Sequence, residues 1–244
     1  MKFRVVVVGG PCGPWIDRCL NSLMSQSDRG WSCAVVLDKF DDAGDKAVRY
    51  STHGITVAVN HDTARGALPN IIRSILLQSP APDDVIVTLD GDDWFYDDSA
   101  LAKVRAVYDQ HPGLLLTYGS WVGHPDPHCV NNSAPYLRDE FNGGALRKGP
   151  WRGTHLRTFK HKLWKMLKDD AFRSSNGNFY DCAWDCAFMF PMLEMAGYER
   201  VKWMSDKLYV YNRETPHNDE KLRSARQTAF FKEIQAKTPY QILP

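Results

Sequence analysis

The sequence lacks several features that would assign it to a protein class at once. No run of 18 or more apolar residues occurs, so the sequence contains no candidate for a transmembrane helix. No Cys-x-x-Cys pair occurs among the six cysteines, and their spacing matches neither a zinc site nor a disulfide framework. No internal repeat is present. We therefore expect reduced cysteines that serve packing.

The chain also lacks the net charge that would indicate a nucleic-acid partner. Its 30 Lys and Arg against 29 Asp and Glu give a formal net charge of +1, so only a local basic patch could bind nucleic acid. The 43% hydrophobic and 24% charged fractions are typical of a globular protein. The apolar residues 5–8 lead into Gly-Gly-Pro rather than a long signal-peptide core, so we expect a cytoplasmic protein, with peripheral membrane association left open.

Apolar strand patterns alternate with helical patterns through much of the chain. Strands are predicted over 3–8, 31–37, 55–59, 85–89, 114–118 and 207–211, and helices over 15–25, 63–78, 99–110, 183–196 and 224–237. A short strand and a basic helix are expected within 155–168. This alternation predicts an α/β fold with a mainly parallel sheet. Residues 119–153 show little periodicity, which is typical of a functional loop or of a plain mobile one.

The most informative motif is a cluster of carboxylates at the end of a predicted strand. Asp90, Asp92 and Asp93 surround Gly91 directly after the apolar run 85–89. Open α/β sheets bind ligands at the carboxyl ends of their strands, and hard oxygen ligands suit Mg²⁺ or Mn²⁺ carrying a diphosphate. The motif therefore indicates a nucleotide-activated substrate. The alternative is a solvated acidic turn that caps the next helix.

The order of motifs resembles the nucleotide-sugar-binding half of family 2 glycosyltransferases, which have the GT-A fold. These motifs are a Pro-containing loop after the first strand, Cys-Leu-Asn-Ser-Leu-Met-Ser-Gln over 19–26, Asp38 at the second strand's end, the acidic turn 41–45, Asn60 ahead of Arg65-Gly66-Ala67, and Leu-Asp-Gly-Asp-Asp over 89–93. The resemblance extends over residues 3–215. It implies a Rossmann-like, mainly parallel sheet flanked by helices, with a C-terminal acceptor-binding lobe.

The resemblance further implies a single GT-A domain over residues 1–244. Residues 1–118 would form the nucleotide-sugar-binding half, 119–215 the acceptor and catalytic half, and 216–244 a C-terminal tail and helix. In the donor site, Asp38 is implied to contact the nucleobase, and Gly9 and Pro11 to lie along the nucleoside. Arg65 would reach the phosphates or ribose, and Asp90 the ribose or donor sugar.

The implied metal ligands are Asp92, which also serves the donor site, and Asp93. His217, on the C-terminal segment, would complete the metal shell, although a solvent-exposed loop histidine is the alternative. An imidazole ligand suits Mn²⁺ better than Mg²⁺, and the expected cofactor is one of these two ions. The expected donor is a nucleotide sugar, with a UDP-sugar favoured over a GDP-sugar.

The chain departs from the family pattern in two places. Many relatives present Glu-Asp on the late helix, where the Asp is the general base, whereas this chain has Ala183-Trp184-Asp185. Asp185 keeps the implied role of base, and a charge stabilising the helix N-terminus is its alternative role. The first loop, Gly-Gly-Pro-Cys-Gly-Pro over 9–14, replaces a Pro-x-Tyr-Asn pattern.

The implied activity is metal-dependent, inverting transfer of a sugar from a nucleotide-diphosphate donor to an acceptor hydroxyl. The metal would neutralise the leaving diphosphate, and Asp185 would take the hydroxyl proton. The predicted acceptor-binding residues are Trp121, Trp151, Trp184 and Arg157. The alternatives are a sugar nucleotidyltransferase and a non-catalytic nucleotide- or glycan-binding module.

The acceptor itself is expected to be a saccharide, a lipid-linked saccharide or a protein. A hydroxylated DNA base is the alternative, because basic residues are interleaved with aromatic ones over 147–168. A solvated basic face would produce the same sequence pattern. The eight tryptophans favour sugar or base binding, or ordinary core packing.

Overall fold

Eight strands form one mixed sheet in the computed structural model, which describes residues 1–216 and 219–244. The strands are β1 (Phe3–Gly9), β2 (Trp31–Asp38), β3 (Ile55–Asn60), β4 (Val85–Asp90), β5 (Trp94–Phe95), β6 (Leu116–His124), β7 (Thr158–Lys160) and β8 (Val201–Asn212). The helices are α1 (Ile16–Met24), α2 (Ala43–Val48), α3 (Ala67–Gln78), α4 (Ala100–Gln110), α5 (His161–Trp164), α6 (Trp184–Ala196), α7 (Asp219–Leu222) and α8 (Ser224–Ala236). The strand order is β3-β2-β1-β4-β7-β6-β8-β5.

The first four strands of this order are parallel. β1 lies between β2 and β4, and β3 pairs with β2 on the outside. The residues of β1, β2 and β4 are apolar and largely buried because helices cover both faces of the sheet, as their continuous apolar runs predicted. The register pairs Asp38 with Asn60, and Val8 with Asp90. The polar residues that end these strands therefore lie at one edge of the sheet.

The second half of the sheet is mixed. β7 lies antiparallel to both β4 and β6, β6 pairs with β8 in parallel, and the two-residue β5 pairs antiparallel with β8. The predicted sheet was mainly parallel, and these antiparallel pairs come from short or half-exposed strands. Such strands bury little apolar surface and so leave a weak sequence pattern.

Several predicted boundaries were wrong. β6 continues to His124, so the irregular segment begins later than residue 119. β8 begins at Val201 rather than 207. The prediction missed its first part because most of the first seven residues are not buried and so show no apolar strand pattern. The helix predicted from 63 begins at Ala67, since Gly66 has a φ of 83° that a helix does not tolerate. The basic helix within 155–168 is the four-residue α5, and β5 and α2 were not predicted.

The core has one layer on each face of the sheet. One layer packs under α1 and α4, and the other under α3 and α6. Every residue of α6 from Cys186 to Ala196 is buried, as its all-round apolar pattern predicted.

All six cysteines are free thiols, and five of them are buried. No helix in the described ranges is both long enough and apolar enough to cross a membrane.

Candidate functional site

A cavity of about 1030 Å³ opens at the edge of the sheet where the parallel strands end. Its lining comes from the loop after β1, the end of β2, the start of α3, the acidic turn after β4, the residues before β7 and the start of α6. Tyr211 of β8 and residues near α7 and α8 complete it. This is the position at which open α/β sheets bind their ligands.

The donor residues implied by the sequence line this cavity. Gly9, Pro11, Asp38 and Arg65 all line it. The buried Asp38 carboxylate accepts hydrogen bonds from the backbone N–H groups of Arg65 (3.0 Å) and Gly66 (2.9 Å). Asp38 therefore holds the turn that begins α3, and this turn leaves the Arg65 side chain exposed at the rim.

The loop after β1 is held in place by the side chain of its own Cys12 and by Asp41 of the neighbouring turn. A Cβ atom added to Gly9 would lie 2.8 Å from the Cys12 sulfur, and one added to Gly91 would lie 3.0 Å from it. Any side chain at either glycine would therefore displace the buried thiol. The Gly13 N–H donates to Asp41 Oδ2 (2.6 Å), which ties the loop to the turn after β2. The loop after β1 and the acidic turn after β4 therefore both pack against the Cys12 thiol, a contact that the sequence alone did not reveal.

The acidic turn after β4 is anchored through Asp93. The Asp93 carboxylate is buried and accepts hydrogen bonds from the Tyr209 hydroxyl (2.6 Å) and the Asn212 N–H (2.7 Å). Asn212 Nδ2 also donates to the Asp92 carbonyl (3.0 Å). Burial, followed by the charges of Asp92 and Asp90, raises the pKa of Asp93 well above its usual value. A divalent cation would favour the ionised form of this cluster.

A candidate metal centre forms where the acidic turn meets the residues before β7. Asp90, Asp93 and His155 each present one ligand atom, and these atoms lie within 4.8 Å of one another. Two carboxylate oxygens and one imidazole nitrogen form a ligand set that suits Mn²⁺. Asp93 belongs to the predicted set as well, and Asp92 lines the same cavity. The other predicted ligand, His217, lies outside the described residues.

His155 was not predicted, because nothing near it in the sequence marks a ligand. Its position depends on β7 pairing beside β4. Burial, and then the charge of Arg157, lower the pKa of His155 well below its usual value, so the ring is neutral and can bind a metal. Its Nε2 lies 3.2 Å from Arg157 Nη2, and its enclosed Nδ1 has no hydrogen-bond partner in the described structure.

The contact between His155 and Arg157 competes with metal binding. A guanidinium group only donates hydrogen bonds, so His155 Nε2 must accept from Arg157 and the proton lies on Nδ1. Ligation through Nε2 would use the same lone pair. Ligation through Nδ1 would move the proton to Nε2, where it would face the guanidinium. Binding of a cation by His155 therefore releases Arg157 from this contact.

The predicted base lines the same cavity as the donor residues. Asp185 is in the first turn of α6, and its Oδ2 accepts a hydrogen bond from Arg157 Nη2 (2.8 Å). Ala183, the residue before α6, has a φ of 51°, a left-handed conformation that costs a non-glycine residue on the order of 1 kcal/mol. This strained turn places Trp184 and Asp185 on the cavity wall.

Arg157 is a buried cation at the centre of this arrangement. It is 3% exposed, and its guanidinium carbon lies 5.5 Å from the Trp184 ring centroid. Although burial opposes its charge, Asp185 and Asp90 hold the pKa of Arg157 above its usual value. Its Nε and Nη1 atoms have no hydrogen-bond partner within the described ranges. Arg157 therefore connects the predicted base electrostatically with the acidic turn.

The structure separates the four predicted acceptor residues into two groups. Trp184 and Arg157 line the cavity. Trp121 is buried in β6 and packs against Tyr211, with ring centroids 5.2 Å apart. Trp151 packs on Phe190 of α6 at 4.9 Å. In the described structure, neither Trp121 nor Trp151 contributes to the cavity wall, and both serve packing.

Four of the eight Lys and Arg residues in the segment 147–168, which suggested a DNA acceptor, form close ion pairs. These pairs are Arg147–Glu194, Arg152–Glu140, Arg157–Asp185 and Lys162–Asp83. Arg147 and Arg157 are also buried. A surface that binds nucleic acid needs exposed positive charge that can release counterions, and these four side chains do not supply it.

Comparison with protein-family models finds no match, and no curated protein sequence matches either. Several solved structures do resemble the chain. TarS (residues 1–349) of S. aureus in complex with UDP-GlcNAc has a TM-score of 0.62 at 18% identity, covering 89% of this chain and 60% of that one. A mannosyltransferase of Pyrobaculum calidifontis in complex with GDP-Man and Mn²⁺ has a TM-score of 0.61 at 19% identity, covering 98% and 66%.

A third solved structure is similar over more of its own length. Glucosyl-3-phosphoglycerate synthase of Mycobacterium tuberculosis, in complex with Mn²⁺, UDP and phosphoglyceric acid, has a TM-score of 0.65 at 11% identity. The alignment covers 97% of this chain and 79% of that one. This chain thus spans 60% to 79% of the three structures, and what it shares with them at these identities is the fold.

Proposed function

We propose that this chain, whose fold is the GT-A fold of these structures, is a metal-dependent, inverting glycosyltransferase. It would move a sugar from a nucleoside-diphosphate donor to an acceptor hydroxyl, with Asp185 as the general base. The observation that carries the proposal is the single cavity in which the acidic turn after β4 and Asp185 of α6 meet. Three structures of the same fold were solved with UDP-GlcNAc, GDP-Man or UDP, which supports a nucleotide-sugar donor.

Asp185 suits the role of base by its position and its partner. Its carboxylate lines the cavity at the start of α6, and the implied donor residues line the same cavity. A base there takes the proton of an acceptor hydroxyl that attacks the anomeric carbon opposite the leaving diphosphate. A single displacement of this kind inverts the configuration of that carbon. The hydrogen bond from Arg157 holds the Asp185 carboxylate in a fixed orientation toward the cavity.

The donor set at the acidic turn fits a divalent cation. Asp90, Asp93 and His155 would hold it, and we propose that Asp92, which lines the same cavity, joins them. Bound there, the cation supplies positive charge to the leaving diphosphate. The oxygen and nitrogen ligands favour Mn²⁺ over Mg²⁺. Two of the similar structures contain Mn²⁺, which supports this choice.

The acceptor that the cavity favours is a saccharide. Trp184 offers an aromatic face beside Asp185, and aromatic side chains are common partners of the apolar faces of sugars. The ion pairs within 147–168 give no support to a DNA acceptor.

A thermal-shift screen tests the proposal directly. The protein is heated with Mn²⁺ and each of a panel of nucleotide sugars, and release of the nucleoside diphosphate is measured in parallel. A donor at 100 times its Kd stabilises the folded state by about 2.7 kcal/mol, which raises the Tm measurably. Asp92→Ala, folded as shown by its Tm without ligand, should lose both the shift and the release. The proposal fails if no nucleotide sugar raises the Tm of the unmodified protein and none is hydrolysed.

A further inference from the structure

Arg157 is shared between a proposed metal ligand and the proposed base. A single nitrogen atom of its guanidinium group, Nη2, lies 2.8 Å from Asp185 Oδ2 and 3.2 Å from His155 Nε2. A guanidinium group has five N–H donors, and Nη2 carries two of them. Each of these two donors therefore serves one neighbour. Arg157 thus connects the metal centre with the base through one atom.

The rest of the guanidinium group is enclosed and lacks partners. Nε and Nη1 carry the other three N–H donors, and neither atom has a hydrogen-bond partner within residues 1–216 and 219–244. Buried donors without partners cost free energy, and Arg157 is only 3% exposed. The present arrangement therefore leaves more than half of the hydrogen-bonding capacity of Arg157 unused.

A second arrangement would use these donors on Asp185. The present contact joins one N–H group to one carboxylate oxygen. Arginine and a carboxylate can instead form two parallel hydrogen bonds, which fix the orientation of both groups. The contact with His155 opposes this paired geometry, because Nη2 is bound to both neighbours at once.

We propose that Arg157 is a positioning residue whose hydrogen bonds move from His155 to Asp185 when the metal centre is filled, so that the base is fully oriented only then. The inference rests on the proposed function, because it needs a cation at the acidic turn and a base at Asp185. Ligation by His155 removes the acceptor that Arg157 has on that side, and the cation and the guanidinium repel each other. The charges of Asp185 and Asp90 both attract Arg157, and a cation held by Asp90 offsets the second attraction. Asp185 then remains as the stronger partner.

Titrations with Mn²⁺ in the absence of nucleotide test this inference, because coupled sites affect each other reciprocally. Arg157→Gln removes the competing hydrogen bond and the repelling charge, so it should lower the Kd for Mn²⁺ about fivefold or more. His155→Ala should raise this Kd. In the His155→Ala background, Arg157→Gln should give a smaller gain, because the contact that competes with the cation is already absent.

Arg147→Gln is the matched control for these titrations. Arg147 is also 3% exposed and is paired with a carboxylate, that of Glu194, outside the cavity lining. Arg147→Gln should therefore lower the Tm and leave the Kd for Mn²⁺ unchanged. Circular dichroism gives the folded fraction of each variant, so that affinities are compared per folded molecule.

A crystal structure of the unmodified protein with Mn²⁺ tests the movement without any substitution. Arg157 should then make two hydrogen bonds to Asp185 and none to His155 Nε2. An unchanged contact between Arg157 and His155 in the Mn²⁺-bound protein would refute the proposal, even if Arg157→Gln did not fold.

The outcomes separate this inference from the proposed function. If the unmodified protein binds no Mn²⁺, the proposed metal centre fails and the inference fails with it. If Mn²⁺ binds but no nucleotide sugar is hydrolysed, the proposed function fails, while tighter Mn²⁺ binding by Arg157→Gln still supports the exchange of partners. Unchanged or weaker Mn²⁺ binding by Arg157→Gln would show that Arg157 only supports the structure. An equal gain with and without His155 would show that Arg157 acts through its charge alone, and either result overturns the proposal.

Discussion

Replacing Asp185 with Asn tests the proposed base and its ion pair together. The substitution removes the carboxylate that would accept the proton and keeps the shape of the side chain. It also removes the negative partner of Arg157, which is 3% exposed and hydrogen-bonds to Asp185 at 2.8 Å. We therefore expect two separate losses, one in the rate of transfer and one in stability.

Both losses can be estimated from the structure. A general base contributes about 10²- to 10⁴-fold to a rate, so transfer by Asp185→Asn should fall by about that factor. Removing one partner of a buried ion pair costs about 3–5 kcal/mol. Since Asp185 is partly exposed and Asn still offers an acceptor oxygen, we expect the lower limit, about 3 kcal/mol. In a protein of this size, that lowers the Tm by about 6–12 °C.

A matched control separates the two losses. Arg147 and Glu194 form a more deeply buried pair, at 3% and 5% exposure, between the segment after β6 and α6, outside the cavity lining. Glu194→Gln should therefore lose at least as much stability and keep the rate of transfer per folded molecule. The assay measures sugar transfer and donor Kd well below the Tm of each variant, with the folded fraction known from circular dichroism.

Two results would refute this reasoning. If Asp185→Asn transfers sugar at the unmodified rate per folded molecule, Asp185 is not the base. If Asp185→Asn and Glu194→Gln lose transfer equally, the loss reflects stability rather than chemistry. Donor affinity should be preserved in Asp185→Asn, because Asp185 at the start of α6 is not one of the implied donor residues.

Three further predictions follow from the metal centre and from the pKa of a surface carboxyl. Chelation by EDTA should abolish donor hydrolysis, and added Mn²⁺ should restore it better than Mg²⁺; full activity in EDTA would contradict the metal role. Asp92→Ala should lose at least tenfold in Mn²⁺ affinity measured by titration without nucleotide, and unchanged affinity would remove Asp92 from the ligands. Hydrogen bonds from Arg105 lower the pKa of Asp28, so the stability that this pair contributes is present above pH 3.8 and is lost as the pH falls through the lowered pKa. Asp28→Asn should therefore have a lower free energy of unfolding than the unmodified protein at pH 7, and this free energy should depend less on pH below 4. Urea unfolding measures both, and identical pH profiles of the two proteins would contradict this pairing.

The parallel half of the fold could be predicted because each of its elements carries its own signal. β1, β2 and β4 are buried on both faces, so their sequences are continuous apolar runs. Their order along the chain predicts that Asp38 and Asp90 share an edge, and the strand register bears this out. The GT-A fold expected from these motifs is confirmed by the similar solved structures.

The wall of the cavity at the start of α6 could be predicted only in part. Asp185 and Trp184 were identified from their match to the Glu-Asp pattern of the similar family, and both line the cavity. Trp121 and Trp151 carry the same composition signal as Trp184 but pack against other aromatic side chains outside the cavity lining. A tryptophan in the sequence is compatible with either position, since the burial of its ring depends on which neighbours the fold supplies.

By itself, the sequence determined the strands whose residues are buried on both faces, the edge at which they end, and the carboxylates placed there. These follow from local hydrophobic patterns, which need no knowledge of distant residues. Only the tertiary structure decided that His155 joins Asp90 and Asp93, that Arg157 is buried against Asp185, and that Phe40 rests on Gly10. These arrangements depend on the three-residue β7 lying between β4 and β6 and on two loops packing against each other. Contacts of this kind join residues far apart in the chain and leave no periodic pattern in either partner.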